Sequence, residues 1–305
     1  MSEPENKAVF VGLATLDVIL SVSRVPHSNE KVVALNQCIS AGGPAANAAV
    51  TASFLGTKAA LITGLGSHPL IAGIENDLEA HGVQLIDLNS ASNNPPSVSA
   101  IMITSSTGDR AVVSRNTEGQ MVEPPANLYS FFVGASALLV DGHHPQLALE
   151  AVRVAREAGI ITVLDAGSWK PITKALLPFI DVAICSSDFH PPGEGSTDVL
   201  RYLVNNGVLC AAVTTGGNSI RWIFDNVSGT TKVESVPTTD TVGAGDILHG
   251  AFIHYISGEG CLTLRSFEES LKLASVVASK SCQYFGTREW MRESSVDSCQ
   301  MDSKI

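Results

Sequence analysis

The chain of 305 residues carries 30 acidic and 19 basic side chains, a formal net charge of -11. That balance excludes a general nucleic-acid binder, because phosphate backbones are held mainly by Lys and Arg. With 45% hydrophobic and 16% charged residues the chain is not disordered, and it is long enough for one large α/β domain or two smaller ones. The opening MSEPENKAVF has no basic segment leading into an apolar one, and no run of about 18 apolar residues follows anywhere, so the expectation is a cytoplasmic protein with no membrane partner.

In chain order, AVFVGL, ALITGL, ALLVDG, IITVLDAG, DVAICSS and LCAAVTTGG read as short buried strands, each ending at or near Gly, Asp or Ser. Helical periodicity separates them at Ala45 to Leu55, Leu70 to His81, Gln146 to Ala158, Ile247 to Ile256 and Leu264 to Gln283. The alternation predicts an α/β fold with a doubly wound, mostly parallel sheet, flanked by helices and carrying its functional groups at the carboxyl edge. Residues 17–39 and 97–116 break the pattern with strand-like segments and no helix, the second with a hairpin turn at Ser106 to Asp109. They are expected to form a small β-lid, leaving 1–16, 40–96 and 117–293 as the main domain and 294–305 as a frayed tail.

The most specific string is Asp240-Thr241-Val242-Gly243-Ala244-Gly245-Asp246, running into the helix that starts at Ile247. Glycines at a helix N-terminus let backbone N–H groups approach an anion, and the helix dipole favours negative charge there. A carboxylate in that place would repel a phosphate unless it takes a proton from an attacking hydroxyl. The alternative is that Asp246 only caps the helix while the glycines only make a tight turn.

The string resembles the C-terminal signature of the ribokinase-like, or PfkB-type, carbohydrate kinases, and the resemblance extends along nearly the whole chain. Gly42-Gly43-Pro44-Ala45-Ala46-Asn47 is similar to the family's N-terminal signature, Gly12 to Asp17 to its substrate loop, and Gly64 to its next strand end. The resemblance implies ATP-dependent phosphorylation of a sugar hydroxyl. Asp246 would be the base and Gly243, Ala244 and Gly245 the anion site. Asp17, Gly42, Gly43 and Asn47 would lie against the sugar, and Thr214, Thr215, Gly216 and Gly217 along the nucleotide phosphates. Taken alone, Gly42 and Gly43 could serve close packing, and Asn47 could be an ordinary polar residue of a first helical turn. The wall from Ala274 to Gly286 is similar to the family's adenine pocket, and pairing of two copies through the lid is a family habit.

ATP and magnesium are the implied cofactors, with a monovalent cation as an open addition. The family's Asn-x-x-Glu is absent, however: Ser186-Ser187-Asp188-Phe189 stands in its place, and no specific metal ligand is assigned. Ser186 could bond a hydrated ion, and Asp165 or Asp188 could supply charge. This departure, with GLATLDVI and STGDRAVV, is similar to the ketohexokinase and sulfofructose kinase branches and points to a ketose. Lys31, Arg110 and Arg115 fall in the lid, where they could meet a charged substituent or remain solvated. A nucleoside kinase of the same fold and a non-catalytic ligand-binding relative are the alternatives. Six scattered cysteines without a C-x-x-C pair suit reduced thiols, and adjacent His143 and His144 suit a loop better than a metal site.

Overall fold

The computed structural model describes residues 6–118, 121–193, 198–258 and 261–292. Each apolar segment read as a strand forms one: β1 (Lys7–Val11), β4 (Lys58–Thr63), β8 (Ala137–Val140), β9 (Ile161–Ala166), β10 (Val182–Ser186) and β11 (Cys210–Thr214). These strands are buried on both faces, which is why they read as nearly continuous apolar runs and pair in parallel. Three further strands complete the sheet: β5 (Gln84–Asp87), β12 (Ile220–Phe224) and β13 (Val227–Thr231). The order is β13-β12-β11-β10-β9-β8-β1-β4-β5, with β12 and β13 added antiparallel at one edge. Edge strands as short as QLID, exposed at Gln84 and half-buried after it, leave little periodic signal.

Helices cover both faces. On one, α1 (Pro44–Phe54), α6 (Ala244–Ile256) and α7 (Leu264–Ser281) pack over Phe10, Leu61, Phe252 and Phe267, with α2 (Ile71–Ala80) beside them. On the other lie α3 (Pro145–Glu157) and two short helices that the sequence pattern does not announce, α4 (Thr173–Leu176) and α5 (Val199–Asn205). Helix α1 is made of small residues because α6 crosses it closely: a Cβ at Gly250 would overlap the Ala48 carbonyl.

A second sheet, β3-β2-β6-β7, stands off the main layer. It comprises β2 (Thr15–Val22), β3 (Asn36–Gly42), β6 (Val98–Thr104) and β7 (Arg110–Ser114), with β2 and β6 parallel and the other pairs antiparallel. Its strands reach further than expected, back to Thr15 and on to Gly42, because the small residues Ser40-Ala41-Gly42 carry no β-branched signal. The inner row pairs Asp17 with Ser40 and Ser99, all buried.

Among the described residues, Cys38, Cys185, Cys210, Cys261 and Cys282 are free thiols, of which Cys185 and Cys210 are core residues. Cys299 and the tail 294–305 lie outside the described residues. No helix among the described residues is long and apolar enough to cross a membrane.

Candidate active site

Buried Asp141, at the end of β8, fixes the meeting point of three elements. Its carboxylate accepts from the amides of Leu13 (2.8 Å), Ala45 (3.3 Å) and His143 (2.9 Å). This ties the end of β1 and the start of α1 to the carboxyl edge of the sheet. Gly12 is required there, since a Cβ would collide with that carboxylate.

Helix α6 begins at the same edge. Its N-cap is Gly243, left-handed at φ 70°, and no side chain caps it. Asp246, the third helical residue, therefore does not cap; its Oδ2 accepts from Asn47 Nδ2 at 2.8 Å. The amides of Gly245 and Asp246 have no partner among the described residues. Gly245 is exposed, and a Cβ on it would meet nothing within 4 Å. The helix thus presents open N–H groups beside a carboxylate.

Burial raises the Asp246 carboxyl to about 7, the Asp165 charge adding to the effect, while the Asn47 hydrogen bond and His249 oppose it. Asp165 and His249 form the floor: His249 Nδ1 lies 2.7 Å from the Gly245 carbonyl and 3.4 Å from Asp165 Oδ2, and Nε2 lies 3.1 Å from the Ile184 carbonyl.

Asn47 is 2% exposed and bonded at both ends of its amide. Its Oδ1 accepts from Arg288 Nη1 at 3.0 Å. The Arg288 guanidinium, also buried, donates to Asp77 Oδ2 (3.0 Å from Nη2, 3.2 Å from Nε), to the Ala41 carbonyl (3.0 Å) and to Thr287 Oγ1 (2.9 Å). Asp17 stands nearby on the inner face of β2, accepting from Thr15 Oγ1 at 2.6 Å, and burial raises its carboxyl above the ordinary range. Gly42 must lack a side chain because a Cβ would occupy the place of that carboxylate, and Gly43, at φ 93°, would meet the Leu13 carbonyl. Both glycines are thus already explained by packing within the protein.

Along the same edge, Thr214 ends β11 opposite Ser186 of β10 and donates to the Cys185 carbonyl at 3.2 Å. Gly216 and Gly217 are exposed, and a Cβ on either would meet nothing within 4 Å. Neither segment is hydrogen-bonded to Asp246 or Asn47 among the described residues.

The stretch standing for Asn-x-x-Glu does not build a metal site. Ser186 Oγ donates to the Gly167 carbonyl at 2.7 Å, Asp188 is exposed, and Asp165 faces His249. Among the described residues no group of three or more His, Cys, Asp or Glu side chains could hold a metal ion. His144 is buried with both ring nitrogens unpartnered among the described residues, and burial lowers it to about 4. Of the lid cations, Arg110 Nη1 donates to the Thr241 carbonyl at 2.9 Å, joining β7 to the loop before α6, while Lys31 and Arg115 are exposed.

A family profile described as "pfkB family carbohydrate kinase" matches residues 5–293. The chain belongs to this family. Among the relatives of the PfkB chain is the ribokinase of Dictyostelium discoideum, 24% identical over 93% of this chain and 96% of that protein. Solved structures share the fold. Ribokinase from Giardia lamblia aligns with a TM-score of 0.79 over 95% of this chain and 99% of that one at 17% identity. Arabidopsis thaliana ribokinase, complexed with ribose and ATP, aligns at 0.76 over 96% and 98% at 22% identity. The ribokinase-like architecture with its small lid sheet, and membership of a family of carbohydrate kinases, are therefore established for this chain.

Three residues of this PfkB site carried no sequence signal, Arg288, Asp77 and His249, while Asp141 was marked only as the Asp that ends ALLVDG. Arg288 meets its partners across 211 and 241 residues of chain, so nothing local marks it. His249 sits only three residues after Asp246, yet in sequence it is one more position of an apolar helix.

Proposed function

We propose that this chain transfers a phosphoryl group from ATP to a hydroxyl of a small sugar, with Asp246 accepting the hydroxyl proton. The observation that carries the reading is the Asp246 carboxylate beside the open amides of Gly245 and Asp246: a proton acceptor against an anion site. A carboxyl raised to about 7 suits a base working near neutral pH. ATP supplies the transferable phosphoryl group. Gly243, Ala244 and Gly245 turn the helix N-terminus toward its oxygens, and Thr214, Thr215, Gly216 and Gly217 flank it at the neighbouring strand end. Asp17 accepts from acceptor hydroxyls and Asn47 keeps one N–H for them, with Gly42 and Gly43 lining that side. Magnesium belongs to this reading as an ion carried on the nucleotide phosphates, since no cluster of metal-ligating side chains stands among the described residues; no step is assigned to it. The ketose preference rests on the GLATLDVI and STGDRAVV resemblance.

Pairing through the lid is part of the same proposal. The outer row Ile39, Val18, Ala100 and Val113 crosses all four strands in register, with Ile39 60% and Val113 71% exposed. An apolar row on an open sheet face favours a second copy. Light scattering of Val113→Asp against the unaltered chain tests this; equal masses would remove it.

An ATP-consumption screen with D-ribose, D-fructose, other ketoses, sulfosugars, sugar phosphates and nucleosides, with and without magnesium, tests the function. Turnover on a sugar is expected, with ketoses leading. Turnover on nucleosides alone would overturn the sugar reading, and none on any acceptor would leave a ligand-binding relative.

A further inference from the structure

Arg288 is a buried charge, 8% exposed, that proton transfer itself does not use. It sits just past α7, and its guanidinium joins the end of lid strand β3 (Ala41), helix α2 (Asp77), its own neighbour Thr287 and the amide of Asn47. An Asn side chain is nearly symmetric in shape, so its orientation is decided by what faces each end. Arg288 can only donate, hence the Asn47 end toward it must be the oxygen, and the end toward Asp246 must be the nitrogen. With Arg288 gone, only an ionised Asp246 would still select the amide nitrogen, and a protonated Asp246 could donate to the oxygen of a flipped amide, so the flip would favour the protonated carboxyl.

We propose that Arg288 is a positioning residue: held by Asp77, it fixes the Asn47 amide so that Nδ2 donates to Asp246, and so links the acceptor side of the site to the base. The inference rests on Asp246 being the base. The geometry suits arginine in particular. Its fork presents Nε and Nη2 to one carboxylate while Nη1 reaches Asn47, and a lysine ammonium cannot span both in one plane. The Asp77 carboxylate also accepts from the Ala41 amide at 3.1 Å, so the same pair closes the lid strand onto α2. The charged groups facing Asp246 are Asp165 from β9, His249 from α6 and Asp17 from β2. Arg288 faces Asp77 from α2 and Asp17 from β2; its loss would favour protonated Asp17 and so lower Asp246, opposite in sign to the loss of the Asn47 donor, so a raised midpoint reports the Asn47 path.

The test uses the full chain without ligands. In protein labelled with carbon-13 at the Asp carboxyls, with Asp246→Asn assigning the resonance, the Asp246 titration midpoint is compared among the unaltered chain, Arg288→Lys and the double variant Arg288→Met/Asp77→Asn. The double variant removes both charges and leaves neither buried alone. Loss of the oriented donor raises the midpoint, by about half a unit or more in the double variant and by less in Arg288→Lys. Turnover with D-ribose, or with the best acceptor of the screen, falls about tenfold or more while KM for ATP stays within about twofold. An unmoved midpoint in folded protein, whatever the melting temperature does, would overturn the inference and leave Arg288 as a brace only. If the double variant does not fold, Arg288→Lys decides by the same reading. Because the titration needs no substrate, it stands even if Asp246→Asn keeps its turnover and the function proposed above falls.

Discussion

The edge around Asn47 and Asp246 and the edge around Thr214 to Gly217 belong to the same row of strand ends, yet they are built in opposite ways. At the first, the side chains are tied to one another: Asp77 holds Arg288, Arg288 holds Asn47, Asn47 holds Asp246, and Gly42 and Gly43 are small because the protein fills the space beside them. At the second, Gly216 and Gly217 face open space. Gly245 of α6, though one residue from Asp246, belongs with the second group. Glycine therefore has two meanings in this site. Where a Cβ would strike the protein, the residue records packing; at Gly217 and Gly245 it would strike nothing, which leaves room beside the backbone, while Gly216, at φ 59°, also answers to its left-handed turn. A pre-bonded carboxylate beside open amides is the arrangement the proposed phosphoryl transfer would use, with the groups near the proton fixed in advance and the anion completing the rest.

The largest effect that would break this contrast is at Asp246 itself. Asp246→Asn keeps the shape and should lower kcat by about 10²–10⁴-fold, as removal of a general base does, with ATP affinity retained in a binding titration. Near-normal turnover would end its role as base.

The contrast between glycines is sharpened within one helix. Gly250→Ala drives a methyl into the Ala48 carbonyl and should cost about 1–3 kcal/mol in a denaturant melt, since neither helix backbone can yield easily. Gly245→Ala should leave stability within about 0.5 kcal/mol, or improve it slightly by helix propensity, while raising KM for ATP severalfold. If Gly245→Ala binds nucleotide as well as the unaltered chain, the room beside it is not for phosphate.

The raised Asp246 carboxyl gives a pH signature. Its folded value of about 7 lies above the unfolded 3.8, so the folded chain holds this proton more tightly. The stability from that group is fully present below about 4 and is lost as pH rises to about 7. Melting temperature measured across that window should fall less steeply in Asp246→Asn. Activity runs the other way, because the base must be ionised: kcat/KM should rise with pH up to about 7.

The smallest effect is at the lid. Arg110→Ala removes one exposed hydrogen bond to the Thr241 carbonyl, worth about 0.5 kcal/mol, and should raise acceptor KM about two- to fivefold while lowering the melting temperature by about 1 °C or less. An unchanged KM would mean that the lid does not act through this contact.

How far the sequence reached depends on the range of each interaction. The parallel strands, the long helices and the turn into α6 were legible because burial on both faces and helical periodicity are written within about ten residues. The small lid sheet was legible from the missing helices, although its strand ends at Thr15 and Gly42 were not, since Ser40-Ala41-Gly42 has no strand preference. In the site, Asp246, Asn47 and the glycines stand in short recognisable strings, and the roles given to Asp17 and to Thr214–Gly217 remain expectations carried from that likeness.

The sequence by itself determined the buried parallel strands and the long helices, where glycine opens a helix, and which carboxylate stands at that opening, because each is a property of neighbours along the chain. Only the tertiary structure decided that Asp246 does not cap its helix, that Asn47 is bonded at both ends, and that Arg288 and Asp77 stand behind it. Those contacts join residues about 200 or more apart in the chain, and a hydrogen bond across such a distance leaves no mark on local composition or periodicity.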